Sequence, residues 1–193
     1  MTPRAAWLLV AAAALLGVAA LVVALSRDRA RGPATSTKVE DGGGAAASGP
    51  SQPVTVELYF PGPGGRLARE QRDVDGSADP SRLAAHVVQA LLEGPRSEKS
   101  FRPFPEGVTA GEVHVTGDGV AYVDLVSTGN PTPPFNGSTV ELLTLYSLVN
   151  SVVQNVPGAR SVVVLWNGRQ PRTFGGHIDT SRPLLPAPDL ATS

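Results

Sequence analysis

The chain has 193 residues, a formal net charge of −1 and 41% hydrophobic residues, which leaves room for one ordinary domain with accessories. It contains no cysteine, and this excludes disulfides, zinc-thiolate centres, cysteine nucleophiles and a lipid-bearing cysteine anchor. Arginine outnumbers lysine 14 to 2 and isoleucine occurs once, the bias of a GC-rich bacterial genome.

Residues 5–25, AAWLLVAAAALLGVAALVVAL, form an uncharged apolar run of 21 residues. As a helix this run would measure about 31 Å, enough to cross the hydrocarbon of a bilayer. A buried core helix would carry a polar face, and this segment has none. Residues 1–31 are therefore predicted as an N-terminal transmembrane anchor, with a signal peptide as the alternative. The run exceeds the ~7 to 15 apolar residues usual in a signal peptide, which favours an uncleaved anchor. Arg4 precedes it and Arg27, Arg29 and Arg31 follow it, so a naive positive-inside count would leave the domain in the cytoplasm. Residues 32–52, GPATSTKVEDGGGAAASGPSQ, hold little that could be buried and predict a flexible linker.

The folded part is predicted over 53–186. From Pro53 onward 11 Lys or Arg stand against 14 Asp or Glu without a basic run, so nucleic acid is not an expected partner. VTVELYF at 54–60 alternates apolar and polar residues, the period of a half-buried strand. The following PGPGGR begins a GxG pattern at Gly62 and Gly64, but Leu67 occupies the place of the third glycine, so a phosphate loop is rejected in favour of a turn into a polar strand, LAREQRDV. Asp79-Pro80 opens a helix as N-cap and first-turn proline, with Leu83, Val87, Val88 and Leu91 on one face and Gly94-Pro95 as its stop.

EVHVTGDGVAYVDLV at 112–126 reads as two strands joined at Gly117-Asp118-Gly119. After the loop STGNPTPPFNG, Ser138 and Glu141 have the spacing of a capping box. The helix they would start carries Leu142, Leu145, Tyr146, Val149, Val152, Val153 and Val156, and Gly158 closes it. SVVVLW at 161–166 suits the middle of a sheet, and Asn167-Gly168 predicts a type I′ turn into a last strand, RQPRTF. Residues 187–193 are predicted as a disordered tail. The sum is an α+β fold, a mixed or antiparallel sheet with two helices packed on one face.

The residues that invite chemistry are few. His177 and Asp179 in TFGGHIDTSRPLL resemble two metal ligands, or a base and its orienting carboxylate. Asp124 is the one polar interruption of its strand, and a buried carboxylate there would be a candidate acid or base. A metal site needs three or four converging ligands, yet His86 sits beside the apolar face of a helix and His114 alternates with outward Glu112 and Thr116. No serine occupies a nucleophile elbow. The plainer expectation is that the glycines permit a tight turn, Ile178 plugs the core, Asp179 caps the next turn and Asp124 binds loop amides. No catalytic, cofactor-binding or metal-binding residue is assigned.

Taken together, VTVELYFPGPGGRL at 54–67, ALLEGP at 90–95, GVAYVDLV at 119–126, and ELLTLYSLVNSVVQNVPGARSVVVLWNG running on to GGHIDTSRPL resemble the GerMN domain of bacterial sporulation and germination lipoproteins. The resemblance implies a non-enzymatic, extracytoplasmic domain similar to the ring-building modules of secretion machines, docking through helix and sheet faces onto cell-envelope proteins or onto itself. It also implies that the domain lies outside the cytoplasmic membrane, against the arginine count. Two features depart from the family pattern: no cysteine is available for lipidation, and only one domain copy fits. The contrasting expectation is a sensor or hydrolase-like domain that binds a small ligand or metal through Asp124, His177 and Asp179.

Overall fold

The computed structural model describes residues 52–135 and 137–192. The predicted anchor and nearly all of the linker lie outside the described residues. Among the described residues no helix is long and apolar enough to cross a membrane.

Among the described residues five strands and two helices follow one another: β1 (Pro53–Gly62), β2 (Arg66–Asp75), α1 (Pro80–Leu92), β3 (Val108–Val115), β4 (Val120–Ser127), α2 (Ser138–Asn155) and β5 (Ser161–Trp166). Short 3-10 turns occupy Pro63–Gly65 and Pro188–Leu190. The α+β class expected from the sequence is the one observed. The single sheet is not: β1 and β2 form an antiparallel ribbon of their own, and β3, β4 and β5 form a second sheet in that order, antiparallel then parallel.

The reason for the separation lies on α2. Its Asn155 side chain accepts from the Glu57 N–H at 2.9 Å and donates to the Glu57 carbonyl at 2.7 Å, while the Ser151 hydroxyl accepts from the Tyr59 N–H at 3.0 Å. The outer edge of β1 is thus satisfied by helix side chains where another strand would otherwise pair. Unpaired strand edges recruit other chains, and this one is covered.

α2 is enclosed nearly all round. Leu145, Leu148, Val149 and Val152 are buried, and so are Thr144, Ser147, Asn150 and Ser151. Buried polar groups require partners, and Thr144 donates to the Pro103 carbonyl at 3.0 Å while Asn150 bonds both the N–H and the carbonyl of Ala187. The single apolar stripe read from the sequence is therefore only part of the helix's buried surface.

α1 starts as predicted, with Asp79 accepting from the Ser81 N–H at 2.9 Å. No basic residue lies in its last turn, so its terminal carbonyls are met from elsewhere: buried Arg72 on β2 donates to Ala90 and Gly94, and Arg102 donates to Leu92. Cations at a helix C-terminus also complement its dipole. The Asn167-Gly168 turn has positive φ at both residues, 52° and 74°, as a type I′ turn requires.

Three expectations are corrected. RQPRTF is not a strand beyond Arg169, which bridges Trp166; Pro171 lacks the N–H that a ladder needs, and the chain turns back on itself through a Thr173–Asp179 bridge. β5 is last in its sheet, although part of its outer edge is met by Leu184, which exchanges both backbone hydrogen bonds with Val162. Residues 187–192 are not a loose tail: Ala191 is buried, Thr192 donates its N–H to the Leu67 carbonyl at 2.9 Å, and Arg66 donates to the carbonyls of Asp189 and Ala191.

Candidate functional site: the Glu141-braced loop and the neighbouring hollow

The GGHID segment is held by a residue that pattern reading assigned to a helix cap. Ser138 is the first residue of α2, but the cap position belongs to Gly137 at φ +103°, and no side chain caps it. Glu141 therefore has no capping partner to answer and turns inward, where it is fully buried. Its carboxylate accepts from the N–H of Ile178 at 2.7 Å, from the N–H of His177 at 3.0 Å, and meets His177 Nδ1 at 2.9 Å. Burial pushes this carboxyl up, but the N–H groups of Ile178, Gly175 and His177 and the imidazole outweigh it, and the net position is below the ordinary value.

Phe174 fixes the loop from the other side. It stacks on Phe135 at 5.1 Å between centroids and meets Trp166 edge-on at 5.9 Å and Phe104 at 6.4 Å. Such aromatic pairs contribute about 0.5–1.5 kcal/mol each beyond their buried area. Ile178, expected to plug the core, does pack against it but is only partly buried, and Phe174 is the deeper anchor. Gly175 is required by closeness: a Cβ there would stand 3.0 Å from Glu141 Oε2 and 3.0 Å from the Phe135 carbonyl.

The remaining candidates are each engaged locally. Asp179 accepts from the Ser181 hydroxyl at 2.6 Å and the Ser181 N–H at 2.9 Å, which hold its carboxyl below the ordinary value. Asp124 accepts from the Gly168 N–H at 2.8 Å at the turn after β5. His86 Nδ1 lies 2.5 Å from the Asp75 carbonyl, and His114 is exposed on β3 opposite Tyr122. Among the described residues no three His, Cys, Asp or Glu side chains converge as metal ligands. Asp124 and Asp179 accept from turn amides, the roles of the plainer expectation, and Glu141 is the partner of His177 that the sequence did not disclose.

The first turns of α2 present a different surface on their other side. Val140 is 53% exposed there, and Phe101, from the loop between α1 and β3, is 61% exposed. With Pro61, Pro103 and Leu143 they line an apolar hollow of about 290 Å³. The loop carrying Phe101 is tied down by the bond from its N–H to the Pro61 carbonyl at 2.7 Å. Sequence reading passed over both residues, since Val140 falls outside the helical stripe and Phe101 sits in the polar run RSEKSFR.

Two solved structures share this fold. The tandem GerMN domains of the sporulation protein GerM from Bacillus subtilis match with a TM-score of 0.57 and 18% identity, over 72% of this chain and 48% of that one. The first GerMN domain of the same protein matches with a TM-score of 0.56 and 19% identity, over 68% of this chain and 97% of that one. The described fold thus corresponds to a single GerMN copy and spans about half of the tandem structure. Among curated proteins none matches the sequence. A family model, Germane, described as sporulation and spore germination, matches residues 57–172, from β1 to beyond the type I′ turn. The chain belongs to the Germane family, and its described domain is a GerMN domain.

Proposed function

We propose that the chain is a non-enzymatic, membrane-anchored interaction module of the bacterial cell envelope, its GerMN domain lying outside the cytoplasmic membrane and serving sporulation, germination or envelope signalling. The observation that carries this reading is the contrast between the two sides of α2. On one side Glu141 is fully engaged with backbone amides and His177, and Asp179 and Asp124 are likewise bonded to turn amides. On the other side two bulky apolar side chains are left at the surface beside a hollow. Contiguous exposed apolar surface beside a hollow is a feature of interaction sites. The family's description supports the biological setting, and the apolar run at 5–25 supports the anchor in a chain without a cysteine to lipidate. The partners are envelope proteins or further copies of the chain itself.

The test is chemical crosslinking of the full-length protein in its native membranes, followed by mass spectrometry of what it is joined to. A defined partner, or a ladder of itself, is the expected result. An enzymatic or ligand-sensing role would instead appear as a rise in melting temperature with a metal or a cell-wall fragment, because a ligand bound only by the native state must stabilise it.

A further inference from the structure

We propose that the hollow between Phe101 and Val140 is the docking site for a short segment of a different envelope protein, one that carries a bulky apolar side chain next to one or more carboxylates. This rests on the interaction-module reading and adds to it the place and the chemistry.

The apolar half of the recognition is the hollow itself, with Pro61, Leu143 and the two exposed side chains around it. The charged half comes from its rim. Arg102 lines this hollow, and Arg66 and Lys99 line a second one of about 240 Å³ that adjoins it at Gly62. No Asp or Glu lines either hollow, although the domain carries more acids than bases. Among the described residues none of these three cations forms an ion pair. Arg66 and Arg102 are engaged only with backbone carbonyls. A guanidinium has five N–H donors, so each retains donors for a carboxylate. A local surplus of positive charge around an apolar floor is complementary to an apolar side chain flanked by acids, and such complementarity governs encounter rate and partner choice.

Position agrees with this. The described chain begins at the Pro53 end of β1, whereas the hollow lies at its Gly62 end, the other end of a ten-residue strand and about 30 Å away. The hollow is thus set apart from the point at which the described residues begin. The hollow is also stiff, because Phe101 is tied to β1 and Thr144 of α2 is tied to Pro103. A preformed site of this kind loses little freedom on binding.

The experiment places a photoreactive amino acid at position 140 of the full-length protein in its native membranes, and in parallel at position 54, a half-exposed valine at the opposite end of β1. Crosslinked peptides are then mapped by mass spectrometry. The proposal expects position 140 to capture another protein through a segment with an apolar residue within a few positions of Asp or Glu. Lys99→Glu and Phe101→Ala should each lower that yield at least tenfold while leaving the melting temperature unchanged, since both side chains are exposed. Capture of a partner only from position 54 would overturn the docking site and leave the module reading intact. Capture of a second copy, or of a segment without carboxylates, would overturn the proposed occupant. Capture of nothing from either position, together with a blank crosslinking result for the whole protein, would remove both readings.

Discussion

At position 141 a glutamate with the spacing of a capping box becomes the buried brace of a distant loop, because Gly137 leaves the helix start without a side-chain cap and the amides of residues 175–178 lie within reach. The spacing was legible in the sequence; the competition between two sets of amides for one carboxylate was not, since it depends on how a loop 36 residues away closes. A neutral amide at this position accepts poorly from several converging N–H groups, so Glu141→Gln should cost about 1–3 kcal/mol in a denaturant titration. The pH dependence follows from the sign of the shift. With its folded pKa below the unfolded value of about 4.3, Glu141 contributes fully at neutral pH, and its contribution is lost as pH falls through the folded pKa. The variant should therefore melt lower than the wild type at pH 6 and show a shallower decline toward pH 3; parallel declines would mean that another carboxylate carries the acid sensitivity. Gly175→Ala acts on the same brace sterically, pressing a Cβ on Glu141 and Phe135, and should destabilise by about 1–3 kcal/mol.

At the scale of elements, both helices, the β3–β4 hairpin, the ribbon of β1 and β2, and the type I′ turn were readable, because each is specified by local periodicity and turn chemistry. The division into two sheets was not. It is decided by Ser151 and Asn155, two polar residues near the C-terminal end of a helix that lie outside the apolar stripe read from the sequence, and that here meet the backbone of β1. Asn155→Ala should leave the Glu57 N–H and carbonyl without partners and lower stability by about 1–3 kcal/mol. It should also expose a strand edge, so concentration-dependent light scattering should rise with it. A variant that is less stable but no more prone to associate would show that the edge is protected by something besides these hydrogen bonds. The Pro171 interruption was present in the sequence, and weighing it properly would have stopped the last predicted strand at Arg169.

For the whole molecule, the C-terminal residues close the fold. Composition made 187–193 resemble a tail, yet Ala191 packs with Tyr59, Leu67 and Leu143, and Leu67 bridges Ala191 along β2. Ending the chain after Pro186 should lower stability by about 1–3 kcal/mol, through lost apolar contact and the stranding of the Asn150 amide, the Leu67 carbonyl and the Arg66 guanidinium, and a denaturant midpoint measures it. The same view sets the functional account. The segment that looks most like a site in the sequence is braced by Glu141, and a surface that looks like nothing in the sequence leaves Phe101 and Val140 exposed. The most direct measurement compares crosslinking to the captured partner in native membranes for the wild type, His177→Asn and Val140→Asp, each full length and each checked for unchanged melting. Wild-type yield is expected for His177→Asn, because the imidazole is half exposed and the backbone amides still hold Glu141, and at least a tenfold loss for Val140→Asp. Loss with His177→Asn and retention with Val140→Asp would contradict it and return the functional site to the GGHID loop.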